Sequence, residues 1–207
     1  MRRILLGLAV TALTVLAFAG PASAASGQVT KVRFHGTFAD AFWSTSSTLT
    51  SLSVSKAKQG SELIVDQFIV NTDANGNITG ATDTSADVTS GFSFAIHQPL
   101  ASASTSASGL PATACTFDAN FNLIGCSPTT IDLTATWTGQ GPIVRGVTNS
   151  RFKIDGISET DHFNGTLRTA TATGTVAGLT LNESESQASD LGVTNSAVIS
   201  RCIGLSC

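Results

Sequence analysis

The chain has 207 residues, of which 12% are charged, with 11 Lys and Arg, 14 Asp and Glu and a formal charge of −3. This length fits one domain with a buried core. The low and slightly acidic charge excludes nucleic acid as an expected partner, because phosphate binding requires clustered Lys and Arg.

The first 24 residues have the pattern of a secretory signal peptide. An uncharged apolar run from Ile4 to Phe18 follows Arg2 and Arg3, and Ala22-Ser23-Ala24 supplies the small residues that a signal peptidase accepts. The run is shorter than the roughly 20 apolar residues that a membrane-spanning helix needs. We therefore predict a signal peptide over 1–24 and one secreted extracellular domain over 25–207, without a membrane span and with a formal charge of −5 once Arg2 and Arg3 are removed.

After the signal peptide, apolar and polar residues alternate with a period of two, which predicts antiparallel strands with one buried face. In the first strand this alternation places Phe34, Phe38 and Phe42 on one side. Trp43 then points to the other side, where it packs in the core or serves as a platform for carbohydrate.

Two similar segments predict hairpins. Asn75-Gly76 favours a type I′ turn, in which both residues have positive φ, between strands at Leu63 to Val70 and Ile78 to Thr82. The segment from Asp118 to Gly125 repeats the pattern of Asp73 to Gly80 and predicts a second hairpin. Between them, Ala101 to Gly109 is either a loop or a strand.

All four cysteines lie in the exported part, where an oxidising compartment favours disulfides. Four cysteines allow three pairings, and the local pairs Cys115–Cys126 and Cys202–Cys207 are favoured because each brackets a compact turn. The spacing lacks the Cx2C pattern typical of zinc sites. We therefore predict no metal and no cofactor.

The rest of the chain continues the strand pattern, with one segment suited to a short helix, Glu183 to Leu191. Further strands are predicted at Ile131 to Thr138, Ile143 to Ile154, Phe163 to Val176 and Val193 to Ser200. About ten short strands with little helix predict an all-β domain, either an antiparallel β-sandwich or a closed β-barrel. A wide barrel could hold an apolar ligand inside, whereas a sandwich core is filled.

Two segments, Leu133 to Pro142 with Trp-Thr-Gly-Gln-Gly-Pro and Gly165 to Gly174 with Arg-Thr-Ala-Thr-Ala-Thr-Gly, carry a family resemblance. They resemble a group of uncharacterised secreted bacterial proteins that are rich in β-structure. The resemblance implies a bacterial, signal-bearing β-protein and transfers no functional residues.

Several residues suggest chemistry, but none forms a recognisable catalytic motif. His35, His97 and His162 are scattered, and Glu159-Thr160-Asp161-His162 is the densest titratable cluster, more typical of a polar loop or edge strand than of an acid–base site. Thr169, Thr171, Thr173 and Thr175 alternate along one strand face, as in a solvent-facing strand or in a ladder that binds ice or a polysaccharide.

These observations favour a non-catalytic secreted domain that binds an extracellular or cell-surface partner or a glycan through loops at one end of the β-scaffold. The candidate binding loop contains Asp118, Asn120, Phe121 and Asn122. One alternative is an exported inhibitor that inserts this disulfide-stapled loop into a target. A third hypothesis is an enzyme of unrecognised type centred on His162.

Overall fold

The computed structural model describes the backbone of residues 28–154 and 157–203, and the side chains of residues 35–147, 162–184 and 188–195. The predicted signal peptide lies outside these residues. The strands are β1 Gln28–Ser44, β2 Thr48–Ala57, β3 Gly60–Thr72, β4 Ile78–Val88, β5 Phe92–His97, β6 Ser102–Phe117, β7 Leu123–Gly139, β8 Val144–Ile154, β9 Ile157–Val176, β10 Leu179–Leu181 and β11 Ser186–Ile203.

The strands form one antiparallel sheet that closes on itself as an uneven ring. Hydrogen bonding follows the order β1, β2, β3, β4, β6, β7, β9 and β11, and β11 pairs with β1 again. The remaining strands lie alongside this ring, with β5 on β6 and with β8 and β10 on β9. The predicted all-β antiparallel class is confirmed.

Alternation places one side chain of each neighbouring pair inside the ring, and two indoles are the largest side chains buried there. Trp43 and Trp137 are almost fully buried, and their Nε1–H groups donate to the backbone oxygens of Ala172, at 3.0 Å, and Asp40, at 2.9 Å. Because a buried indole N–H needs an acceptor, these hydrogen bonds tie β1 to β9 and β7 to β1 across the interior.

The side of β1 that carries Phe38 and Phe42 faces away from this interior. Ala39, Ala41 and Trp43 are buried instead, while Phe38 covers Gly192 and meets the Phe163 ring edge-to-face at 6.4 Å. A period of two separates the two sides of a strand but does not say which side is inner. Because Trp43 is buried in the core, it does not offer a platform for carbohydrate.

Two local expectations are wrong. The predicted helix from Glu183 to Leu191 is a single 3-10 turn at Glu183–Glu185, followed at once by β11. From Ser186 onwards the backbone of this segment pairs with β1. This tertiary pairing outweighs the weak helical preference of so short a segment. The strands are also longer than predicted, because bulges such as the one between Ala107 and Leu110 let β6 bend without ending.

The two ends of the ring differ. At one end Leu100 is buried with φ 61°, and the Arg168 guanidinium donates to the backbone oxygens of Leu100 at 3.3 Å and Gly141 at 3.1 Å. At the other end the β3–β4 and β6–β7 hairpins project beyond the last pair between β7 and β9, Leu133↔Val176. The predicted binding loop is the tip of the β6–β7 hairpin.

An open cleft of about 740 Å³ lies where the β6–β7 hairpin leaves the ring. Its lining includes Ile69, Thr84, Thr129, Ile131 and Ala177. Gln67 is buried in the cleft wall and donates through Nε2 to the Val176 oxygen at 3.0 Å. The cleft opens to solvent beside the core that contains Trp43 and Trp137.

Candidate binding site at the paired hairpin tips

The β3–β4 tip is organised by one carboxylate. The Asp73 carboxylate accepts from the backbone N–H groups of Asn75 at 2.8 Å and Asn77 at 2.9 Å, and from the Asn77 side-chain amide at 3.0 Å. The backbone closes the turn through Gly76 N–H to the Asp73 oxygen and Asp73 N–H to the Asn77 oxygen. Asp and Asn favour such turns because their side chains bond to the nearby backbone.

The β6–β7 tip has the same arrangement. The Asp118 carboxylate accepts from the backbone N–H groups of Asn120 and Asn122, both at 2.8 Å, and from the Asn122 amide at 2.9 Å. Phe121 N–H donates to the Asp118 oxygen. These hydrogen bonds lower the pKa of Asp73 and of Asp118, so both carboxylates are ionised at neutral pH.

The predicted type I′ turn at Asn75-Gly76 is wrong, although the hairpin itself is present. Of the two residues, only Gly76 has positive φ, 83°, and a register shift lies between Asn71 and Thr72, before the turn. This is a type I turn that ends in a left-handed residue with a bulge, a common form of longer hairpin loop. The Asp73 carboxylate stabilises this turn by accepting from the backbone N–H groups of Asn75 and Asn77.

The disulfide Cys115–Cys126 is confirmed and lies directly behind the second tip. The two cysteines are paired across β6 and β7, with their Cα atoms 4.0 Å apart. The bond therefore fixes the base of a short loop whose tip Asp118 already organises. Cys202 lies in β11, but Cys207 lies outside the described residues, so the second pair stays a prediction.

Phe121 distinguishes the second tip from the first. It occupies the position of Gly76 and has φ 62°, a conformation that costs a side-chain-bearing residue about 1–2 kcal/mol. Its ring stacks on Phe68 at 6.3 Å, and Phe68 also contacts Phe117 at 6.2 Å. The strained backbone thus places a large aromatic ring where the twin loop has no side chain.

The two hairpins that carry the tips also expose several apolar side chains. Phe121 is 48% exposed, and Leu123 and Ile124, which follow it on β7, are 59% and 69% exposed. Ile78, at the start of β4, is 45% exposed. The tip end therefore combines a rigid backbone with apolar side chains in solvent, which is typical of surfaces that bind other macromolecules.

The three histidines that the sequence offered lie on three different strands. His35, His97 and His162 lie on β1, β5 and β9, and His35 Nδ1 lies 2.6 Å from the backbone oxygen of Asn195. The backbone of Glu159-Thr160-Asp161 is part of β9, but these three side chains lie outside the described ones. The described His, Cys, Asp and Glu side chains contain no group of three that could share a metal ion.

A set of carboxylates on the outer surface of β11, β1, β3 and β4 was missed by sequence reasoning. We call it the acidic face, and it consists of Asp40, Glu62, Asp66, Asp83, Asp87 and Asp190. Burial is the main cause that raises the pKa of each of these groups. Glu62 and Asp66 are four residues apart, as are Asp83 and Asp87, which is a signal that each pair shares a strand face. Of these four, only Asp66 lies within the predicted strands at Leu63 to Val70 and Ile78 to Thr82.

Asp40 and Asp190 lie at one end of this face, directly opposite each other across β1 and β11, and the other four carboxylates lie on β3 and β4. Burial raises the pKa of Asp40 to about 7, a hydrogen bond from Ser53 opposes the shift, and the Asp190 charge adds to it. Although Asp40 as a residue is partly exposed, its Oδ1 is covered and has no hydrogen-bond partner. Such a carboxyl group is partly protonated at neutral pH.

No family model, curated protein or solved structure matches the chain closely enough to assign it to a family. The resemblance to secreted bacterial proteins therefore stays a prediction. In the part of the chain that the structure describes, no helix has the length and apolar character to cross a bilayer.

Proposed function

We propose that residues 25–207 form a secreted, non-catalytic binding domain that inserts its β6–β7 tip into a concave apolar site of an extracellular or cell-surface protein. The observation that carries this proposal is the exposed side chain of Phe121 on a backbone held by Asp118 and by Cys115–Cys126. A loop ordered before binding loses little conformational entropy on binding, which improves affinity. The disulfide is also consistent with an oxidising compartment.

The Phe121→Gly variant separates binding from folding. Glycine removes the left-handed strain, as Gly76 does in the twin loop, but it also removes an aromatic contact worth about 0.5–1.5 kcal/mol. The two effects oppose each other, so we expect the free energy of unfolding to change by less than about 1 kcal/mol. Binding through the tip should be lost.

A photo-crosslinking amino acid placed at position 124, near the tip, tests the contact on intact producing cells and their medium. The matched control places it at position 147, where Val147 is similarly exposed but lies on β8. We expect one adduct that is specific to position 124 and that unlabelled wild type, but not Phe121→Gly, competes away. Identical adducts from both positions, or equal competition by the variant, would contradict the proposal.

An inhibitor is the more specific form of the same proposal, because a stapled convex loop fits a protease cleft. Incubation with a panel of secreted proteases distinguishes this form. We expect loss of protease activity with the 118–122 loop intact. Cleavage inside the loop without inhibition would exclude an inhibitor and leave the general binding role in place.

A further inference from the structure

The threonine ladder on β9 is part of a much larger array. Thr134, Thr136 and Thr138 of β7 stand directly opposite Thr175, Thr173 and Thr171 of β9. On the other side of β7, these threonines face three serines of β6, and one of those serines faces Ser93 of β5. The hydroxyl face consists of Ser93, Ser102, Ser104, Ser106, Thr134, Thr136, Thr138, Thr171, Thr173 and Thr175.

Side-chain alternation explains why these residues share one surface. The residues between them, such as Ala103, Ala135, Trp137 and Ala172, are buried in the core, so the hydroxyl residues point outward. Neighbouring strands lie about 4.8 Å apart, and every second residue along a strand is about 7 Å further on. The hydroxyl groups therefore form a two-dimensional grid across four strands.

Most of this grid is free to bind. Ser93 and Ser106 hydrogen-bond to each other at 2.8 Å, and Gln140 donates to Thr171 at 3.4 Å. The hydroxyls of Thr136 and Thr173, at the centre, have no hydrogen-bond partner among the described residues, and both residues are exposed. A hydroxyl group donates and accepts, so such a grid can pair with other hydroxyl groups in either direction.

The ten residues of the hydroxyl face carry no charge, and two titratable residues lie at its margin. His97 of β5 is exposed and faces Ser102, and Asp132 is exposed on the same side of β7, two residues before Thr134. The outward residues of segments 93–97, 102–106, 134–138 and 171–175 include no Asp, Glu, Lys or Arg. These residues therefore offer no cation to an anionic polymer or an anionic lipid surface, and the carboxylates of the acidic face lie on other strands, β11, β1, β3 and β4. An uncharged polymer loses no ion-pair interaction on contact with the hydroxyl face and meets no repulsion there.

We propose that the hydroxyl face binds an uncharged polysaccharide along its chain, independently of the β6–β7 tip. Each hydroxyl pair contributes little net free energy in water, so binding requires many simultaneous contacts, as a polymer provides. Neighbouring strands twist by about 20–25°, so the grid is a curved surface. Such a surface follows a flexible chain better than it matches a flat crystal plane such as ice.

Partition of the mature protein onto insoluble microcrystalline cellulose and onto chitin, measured by depletion from solution, tests this proposal. We expect retention on at least one polymer, with weak binding of its short soluble oligomers. The double variant Thr136→Val, Thr173→Val keeps the shape and branching of both side chains but removes their hydroxyl groups. It should bind at least fivefold more weakly, whereas Thr136→Ser, Thr173→Ser should stay within about twofold of wild type.

The double variant Thr129→Val, Thr130→Val is the matched control, because both threonines are exposed on β7 outside the grid. It should bind as wild type does, and so should Phe121→Gly, which separates this proposal from the tip contact. No retention of the wild type on either polymer would overturn the proposal. Retention of the valine variant with loss of the serine variant would indicate recognition of methyl groups and would overturn it too.

Discussion

The two outer surfaces of the ring show how one scaffold supports opposite chemistry. The acidic face carries six partly buried carboxylates on β11, β1, β3 and β4, whereas none of the ten residues of the hydroxyl face is charged. Both surfaces lie on strands whose inward residues pack in the same core, so the core does not dictate which polar residues point outward. We therefore expect the contribution of the acidic face to the free energy of unfolding to change with pH, and that of the ten hydroxyl residues to stay the same.

The largest expected effect comes from Asp40→Asn, which mimics the protonated carboxyl group. The folded-state pKa of Asp40, about 7, lies above its usual 3.8, so its contribution to stability is complete below about pH 4 and is lost as the pH rises to about 7. We expect the variant to raise the free energy of unfolding by about 2–4 kcal/mol at pH 8 and to change it little at pH 4. Urea denaturation at both pH values measures this, and equal effects at the two would contradict the assignment.

Ser53→Ala should act in the opposite direction. The Ser53 hydroxyl hydrogen-bonds to the Asp40 carboxyl and lowers its pKa, so the variant leaves the ionised carboxylate with less support. We expect a loss of about 1–2 kcal/mol at pH 8 and a smaller loss at pH 4. A double-mutant cycle with Asp40→Asn isolates the pair, and a coupling free energy near zero at pH 8 would disprove the contact.

Thr136→Asp tests whether a carboxylate on the hydroxyl face behaves differently from those on the acidic face. Thr136 is exposed at the centre of the hydroxyl face, where a new carboxylate remains solvated. We expect a loss below about 1 kcal/mol, mainly from the lower β-propensity of Asp, with almost the same value at pH 5 and pH 8. A stability change that grows by more than about 1 kcal/mol between these pH values would show that the two faces respond alike.

Sequence reasoning reached the local features of the candidate site. The repeated Asp-Ala-Asn pattern at Asp73 and Asp118 predicted two hairpins, and the short spacing of Cys115 and Cys126 favoured their pairing. The turn type was predicted incorrectly, because the Asp73 carboxylate and not the Asn75-Gly76 pair organises the loop. Phe121 was included in the candidate loop, but its positive φ was not predicted, because a bulky residue such as Phe rarely adopts the left-handed conformation.

The sequence by itself determined the all-β class, the antiparallel pattern and the threonine ladder on β9, because alternation with a period of two is a local property of the chain. Only the tertiary structure decided which side of β1 faces inward, since that depends on the space that Trp43 and Trp137 occupy together. Register across distant strands also brought Asp40 opposite Asp190 and extended the ladder into a grid. Such pairings join residues far apart in the chain, so no local pattern encodes them.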